Sequence, residues 1–489
     1  MERLGAIPRG PDPVEFRVWA PAADSVAVRL ADGDHPLERA DDGTWSAQLS
    51  AAAGDEYGYV LNGRDALPDP CSRYQPEGVN GPSSVVDTAK FDIAPGPGTP
   101  LRDLVLYELH VGTFSETGTC DGAAAHMHTL RSLGITAVEL MPIATFPGDR
   151  NWGYDGVHTF APHPAYGGPE GLARFVDAAH REGLAVILDV VYNHVGPGSD
   201  AIAAFGPYFG AQTPWGPTLD YSHHGVREWA IQNAEQWIRD YKVDGLRLDA
   251  VHAVDDDSPT HVLAELKQRV GDALVISEMN HEDFRPLDEW GHDAMWLDNL
   301  HHELHVLLTG EKRALYEPFG TVDGLVRELT RDRADRLVVC AQNHDQIGNR
   351  AQGDRLPPAA HRVALACVLF STHTPLLFMG EEYEERNPFR FFTDHPEPAI
   401  ADATREGRKR DVLRATGTHG PQPDPQDAAT FARSKLARRE PDPFIVELLE
   451  LRRTLPNELA AHADGNRVTL RRGNRTLTLD FDATTAELT

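Results

Sequence analysis

Three carboxylates stand at the ends of apolar runs, and each run reads as a buried strand. Gly-Leu-Arg-Leu-Asp-Ala-Val-His (Gly245 to His252) carries Asp249, Leu-Val-Ile-Ser-Glu (Leu274 to Glu278) carries Glu278, and Leu-Val-Val-Cys-Ala-Gln-Asn-His-Asp (Leu337 to Asp345) carries Asp345. A carboxylate at the C-terminal end of a parallel barrel strand faces the mouth where barrel active sites form. Neighbouring strands run about 4.8 Å apart, and double displacement at a glycosidic bond needs two carboxyls about 5–5.5 Å apart. The expected chemistry is therefore glycoside hydrolysis with retention. One acidic strand end alone reads more readily as a cap or a structural ion pair. Three, with Arg247, His194 and His344 in matching positions, read as a site.

Arg247 and Asp249 are two apart, so along a strand they point to one face. The guanidinium favours the ionised carboxylate that a nucleophile must be. Glu278 is then the acid that protonates the leaving oxygen and the base that activates water. Asp345 is left to stabilise oxocarbenium-like charge. His252, in the loop after Asp249, is a further candidate for substrate contact. Asp189-Val-Val-Tyr-Asn-His194 ends a third strand, where His194 is placed to bond a sugar hydroxyl and Asp189 to orient polar neighbours. Trp152 and Tyr154, in Asn151-Trp-Gly-Tyr-Asp-Gly156, offer aromatic faces on which a glucose ring can stack. The alternative for either is loop packing. His301 and His305, four apart, invite a metal, but the stretch is not HExxH. Cleft lining is the favoured reading, and no metal or cofactor is expected.

These residues need a scaffold. Eight strand-like runs alternate with helical patterns: 104–109, 137–141, 185–191, 245–249, 274–278, 294–297, 337–341 and 375–379. Helical stretches such as Gly171–Glu182 and Val226–Tyr241 lie between them. That alternation predicts an α/β protein built on a (β/α)8 TIM barrel over 101–410, with 294–297 the least convincing strand. Ahead of it, Phe16–Ala20 and Ser25–Leu30 alternate as half-buried strands, separated by turn residues including Asn62-Gly63. This predicts an N-terminal β-sandwich over 1–95, resembling glucan-binding modules and ending at Ala94-Pro-Gly-Pro-Gly-Thr-Pro100. Residues 411–489 have room for a helix over Asp442–Leu455 and a small β unit with strands near Arg467 and Thr476.

At 489 residues the chain suits two or three domains and needs no disulfides. Its four cysteines form no CxxC pair, which fits a reducing cytoplasm. No signal-like or membrane-spanning run appears, so a soluble cytoplasmic protein is expected. The net charge of −29 argues against nucleic acid and suits a neutral partner.

The blocks Asp189–His194, Gly245–Asp249, Glu278 and Asn343–Asp345 resemble, in order and spacing, those of the α-amylase superfamily of glycoside hydrolases. The resemblance implies Asp249 as nucleophile, Glu278 as acid/base and Asp345 as transition-state stabiliser. It also implies sugar contacts at the cleavage point from His194, Arg247 and His344. Longer stretches, including Pro68–Gly78, Trp152–Gly156, Pro162–Glu170, Gln342–Arg350 and Phe391–His395, are similar to the members that release trehalose. Their substrates would be maltooligosyltrehalose and α-glucan oligosaccharides, with no cofactor, nucleic acid or membrane involved. Branching or debranching, which share the catalytic set, and glucan binding without catalysis are the alternatives. Two departures bear on the cleft: Met279-Asn280-His281 follows Glu278 where a polar pair such as Ser-Asp is usual, and Asn299 stands where a second Asp is usual. Oligomeric state is open.

Overall fold

The computed structural model describes residues 1–10, 12–213, 216–279, 282–418 and 420–489. The departure at Asn280 and His281 lies outside the described residues, while Met279 is buried. The eight expected strands are all present and close into one parallel barrel: Leu106–Leu109, Ala137–Leu140, Ala185–Val190, Gly245–Leu248, Leu274–Glu278, Ala294–Trp296, Leu337–Cys340 and Thr374–Phe378. The sixth is the shortest at three residues.

Alternate residues of each strand face the barrel axis. Leu106, Ala137, Ala185, Ile187, Ile276, Ala294, Val338, Cys340 and Leu376 form one apolar plug. Two residues further along the strands the inward positions turn polar. In the register, Glu108 pairs with Glu139 and Asp189 with Arg247. Apolar floor and polar ceiling thus come from the same period-two pattern. The expected helices appear as Gly168–Arg181 and His224–Asp240, and Pro358–Phe370 connects the last two strands.

The N-terminal sandwich consists of two sheets. One runs Gly5–Pro8, Val14–Trp19, Thr44–Leu49, Glu38–Arg39; the other runs Gly33–Pro36, Val26–Leu30, Glu56–Leu61, Ala66–Leu67. Phe16 of the first packs edge-on against Tyr57 of the second, with ring centroids 5.1 Å apart. Asn62 and Gly63 both take positive φ, 52° and 70°, as a two-residue hairpin turn requires. The C-terminal unit is larger than expected. Besides the helix Pro443–Arg452, its sheet has four antiparallel strands, adding Ala460–Asp464 and Thr485–Leu488 to the expected pair. Among the described residues no helix is long and apolar enough to cross a membrane.

Candidate active site

Arg247 is the centre of the polar ceiling, and its side chain is fully buried. Its Nη1 donates to both oxygens of Asp189, each at 3.0 Å, and to Asp249 Oδ1 at 2.9 Å. Its Nη2 lies 3.1 Å from Glu278 Oε2, an ion pair without the alignment of a hydrogen bond. The guanidinium also sits 4.4 Å from the ring centre of Trp296. One cation therefore ties together three carboxylates from successive strands, two of them the expected nucleophile and acid.

Each expected catalytic carboxylate is held from a second side. Asn193 Nδ2 donates to Asp249 Oδ2 at 2.7 Å and to the Asp249 carbonyl at 2.9 Å. The backbone N–H of Ala250 donates to Glu278 Oε2 at 2.7 Å. That contact needs Ala250 in the left-handed region, φ 40°, a conformation that costs a residue with a Cβ about 1 kcal/mol or more. The strain is thus located between the two carboxylates. Asp345 lies one residue into the short helix His344–Gly348, whose N-cap Asn343 accepts from Gln346 N–H at 2.8 Å. Asn349 Nδ2 donates to Asp345 Oδ1 at 2.9 Å. The side chains of Asp249, Glu278 and Asp345 keep 14%, 19% and 38% of their surface exposed, so all three can be reached from the cleft.

A second chain of bonds runs from the first strand to the same centre. Glu108 accepts from His344 through both the backbone N–H, at 3.0 Å, and Nδ1. Burial alone would lower the His344 pKa, but the Glu108 carboxylate and Asp345 outweigh it and push it up to about 10. The ring is therefore a cation with two N–H donors. Nε2 donates to Tyr154 Oη at 2.9 Å, and Tyr154 donates to Asp189 Oδ2 at 2.6 Å. The order Glu108, His344, Tyr154, Asp189, Arg247, Asp249 is continuous, each link a hydrogen bond from a donor to an acceptor.

Of the expected substrate contacts, Tyr154 is half-buried and His252 is exposed in the turn Val251–Ala253. The other four are almost covered. Arg247 has no surface left. His344 is packed between Tyr154 and Trp152. His194 contacts Asn193 Oδ1 and the Tyr154 carbonyl, the latter at 3.0 Å. Trp152 is stacked on Phe389 and its Nε1 donates to the Arg390 carbonyl at 2.9 Å. The Trp152 ring backs His344 rather than presenting a face to solvent. His301 Nδ1 donates to the Ala341 carbonyl at 2.7 Å, and His305 pairs with Glu311 at 3.0 Å. Glu382 is buried against the Tyr107 hydroxyl, 3.0 Å from each oxygen. Among the described residues no group of three or more His, Cys, Asp or Glu side chains could hold a metal ion.

Four residues important to this geometry were not singled out from the sequence: Glu108, Glu139, Asn193 and Asp298. A glutamate inside an apolar parallel strand, as in Leu-Tyr-Glu-Leu and Ala-Val-Glu-Leu, is itself a signal, because such strands are covered on both faces. Burial, with Glu278 and Asp345 adding to it, pushes the Asp298 carboxyl up to about 7. Asp298 thus joins the cleft as a carboxyl neighbouring two of the expected catalytic ones.

Glu139 is fully buried, and among the described residues neither carboxyl oxygen has a hydrogen-bond partner. Burial first and the Glu108 charge second raise its pKa well above the ordinary value. A carboxyl whose pKa is raised by folding costs stability above its unfolded pKa, and the cost grows by about 1.4 kcal/mol per pH unit until the folded pKa is reached. Glu139→Gln removes that titration while keeping the shape. Its melting temperature should exceed that of the parent near pH 8, and the gap should close toward pH 4. A gap that stays constant across calorimetric scans over that range would exclude this account.

The alpha amylase catalytic domain matches residues 90–206, and carbohydrate-binding module 48, the isoamylase N-terminal domain, matches residues 3–75. Malto-oligosyltrehalose trehalohydrolase from Saccharolobus solfataricus is 40% identical over 486 residues, covering 90% of this chain and 85% of that protein. The enzyme of the same name from Rhizobium sp. is 41% identical over 497 residues, covering 90% and 83%. A solved structure from Salmonella typhimurium carrying the name alpha amylase superposes with a TM-score of 0.87 at 35% identity, covering 98% of this chain and 93% of that one.

Proposed function

The chain belongs to the malto-oligosyltrehalose trehalohydrolase family of the α-amylase superfamily, and from that premise we propose that it cleaves the α-1,4 bond next to the terminal trehalose unit of maltooligosyltrehalose. Trehalose and a maltooligosaccharide are released. The observation that carries the mechanism is Arg247, bonded to Asp249 and paired with Glu278 from beneath. The family carries the hydrolytic reading over branching, debranching or binding without turnover.

Asp249 attacks the anomeric carbon. Its two oxygens are aligned by Arg247 and Asn193, which fixes the orientation of the carboxylate. Glu278 Oε2 is engaged by the Ala250 N–H and faces Arg247, so Oε1 carries the proton that passes to the glycosidic oxygen. The bond to the trehalose unit breaks, and the maltooligosyl group is held on Asp249 as an ester. Glu278, now ionised, takes a proton from water, which attacks the same carbon and frees Asp249 with retention of configuration. Asp345 faces the ring carbon and oxygen as positive charge develops. Tyr154 and His252 are the proposed substrate contacts with surface to offer. His194, His344 and Trp152 act by holding Asn193, Tyr154 and one another. The proposed division of labour is a glucan-binding unit over 1–95, the catalytic barrel over 101–410 and a C-terminal unit over 411–489.

The test is a product analysis. Incubation with maltotriosyltrehalose should yield trehalose and maltotriose, with little change in maltopentaose treated alongside. Equal attack on both substrates would mean a general amylase. Transfer products without trehalose would mean a branching enzyme.

A further inference from the structure

The helix Pro398–Thr416 follows the last barrel strand, and its one buried cation, among the residues described there, is Arg408, 8% exposed. Its guanidinium sits 5.2 Å from the ring centre of Phe391. Among the described residues its hydrogen bonds go to one place, the end of the turn that carries Asp345. Nη2 donates to the Gly348 carbonyl and, at 3.3 Å, to the Arg350 carbonyl. Nη1 donates to Asn349 Oδ1 at 2.8 Å. Burial lowers the Arg408 pKa to about 10, which leaves it charged at neutral pH.

The bond to Oδ1 decides how the Asn349 amide is oriented. With the oxygen facing a guanidinium that can only donate, the amide nitrogen must face the other way, and there it donates to Asp345 Oδ1 at 2.9 Å. The turn is also closed by Asn349 N–H on the Asp345 carbonyl, 2.9 Å. A cation on the free carbonyls at a helix C-terminus is favourable. The turn is therefore fixed at its start by Asn343 and at its end by Arg408.

We propose that Arg408 is a positioning residue for Asp345, acting through Asn349, so that the post-barrel helix takes part in setting the third carboxylate of the site. The inference rests on the reading of Asp345 as a stabiliser of the transition state. Because Asp345 acts on developing charge and not on the resting substrate, its displacement should appear in kcat. A displacement of about 1 Å costs on the order of 10²-fold in rate.

Arg408→Met, Asn349→Ala, the double variant and Asp345→Asn are compared with the parent on maltotriosyltrehalose, with melting temperature recorded for each. The expected result is a fall in kcat of about 10²-fold for either single variant, with KM changed less than about threefold. Two residues acting in series should be non-additive, so the double variant should lose no more than the worse single one. If Arg408→Met does not fold, Asn349→Ala alone carries the test through its split between kcat and KM. Losses that multiply in the double variant, or a raised KM at unchanged kcat, overturn the proposal. Asp345→Asn inactive beside fully active Arg408→Met and Asn349→Ala overturns the proposal alone. Asp345→Asn with parental activity overturns the reading of Asp345, and the proposal with it.

Discussion

Asp249→Asn should reduce kcat on maltotriosyltrehalose by on the order of 10⁴-fold or more, the scale at which removal of a nucleophile is felt in other covalent hydrolases. The amide has the shape of the carboxylate but neither its charge nor its nucleophilicity, so no glycosyl ester forms. The surroundings also make it a poor guest. Both oxygens of Asp249 accept, one from Arg247 Nη1 at 2.9 Å and one from Asn193 Nδ2 at 2.7 Å. An asparagine there must turn its NH₂ toward one of these donors, whichever way it lies. One donor–donor contact results, with a cost of about 1–3 kcal/mol for the bond lost in a covered site. The variant should therefore be slightly less stable yet folded, and it should still bind substrate by calorimetry while failing to turn it over. Near-parental kcat in a folded variant would falsify the assignment of Asp249.

The parts of this fold that were legible in the sequence are those set by local pattern. Parallel barrel strands are covered on both faces, so they stand out as short, mostly apolar runs, the sixth, Ala294–Trp296, least clearly because it is only three residues long. The carboxylates were legible for the same reason, since Asp249 and Glu278 close such runs and Asp345 follows one within a few residues. Two C-terminal strands were missed because their sequences carry little strand character. Ala-Ala-His-Ala-Asp (Ala460–Asp464) has no β-branched residue and is nowhere fully buried, so its pairing is decided by the neighbouring strand Arg467–Arg472. Glu108 and Glu139 sit within runs rather than at their ends, so attention to strand termini passes them over.

Side-chain partnerships across long separations were the least legible. Trp152 reads as a stacking platform when its neighbours are Asn151 and Gly153. Its actual neighbours are Phe389 and the Arg390 carbonyl, more than two hundred residues away. His344 reads as a sugar ligand, and nothing local shows that Glu108 stands behind it. Arg247 was expected beside Asp249, and the spacing of two residues on a strand was enough to place it there. Its bonds to Asp189 and its pairing with Glu278 depend on the order of strands around the barrel.

Replacing Arg247 separates what its charge does from what its shape does. Arg247→Met removes the cation facing Asp189, Asp249 and Glu278. Asp189 is already pushed up to about 7 by burial against the opposing pull of Arg247, so without the cation it must take up a proton or remain buried unpaired. Breaking a buried ion pair on one side costs about 3–5 kcal/mol. The variant should be strongly destabilised near pH 7. With the cation gone the Asp189 pKa rises further in the folded state, so the cost appears above its unfolded value near 4 and the deficit should shrink as pH falls toward it. Activity should drop by about 10³-fold or more, because two reacting carboxylates lose their common anchor at once. Arg247→Lys restores one charge on one nitrogen. A single ammonium has no fork with which to serve Asp189 and Asp249 through one nitrogen and Glu278 through the other. It should therefore recover much of the melting temperature near pH 7 and little of the rate. Recovery of both by lysine would mean that charge alone is needed beneath the carboxylates. Recovery of the melting temperature alone would mean that the guanidinium sets the distance between nucleophile and acid, which is the quantity that double displacement at one anomeric carbon requires.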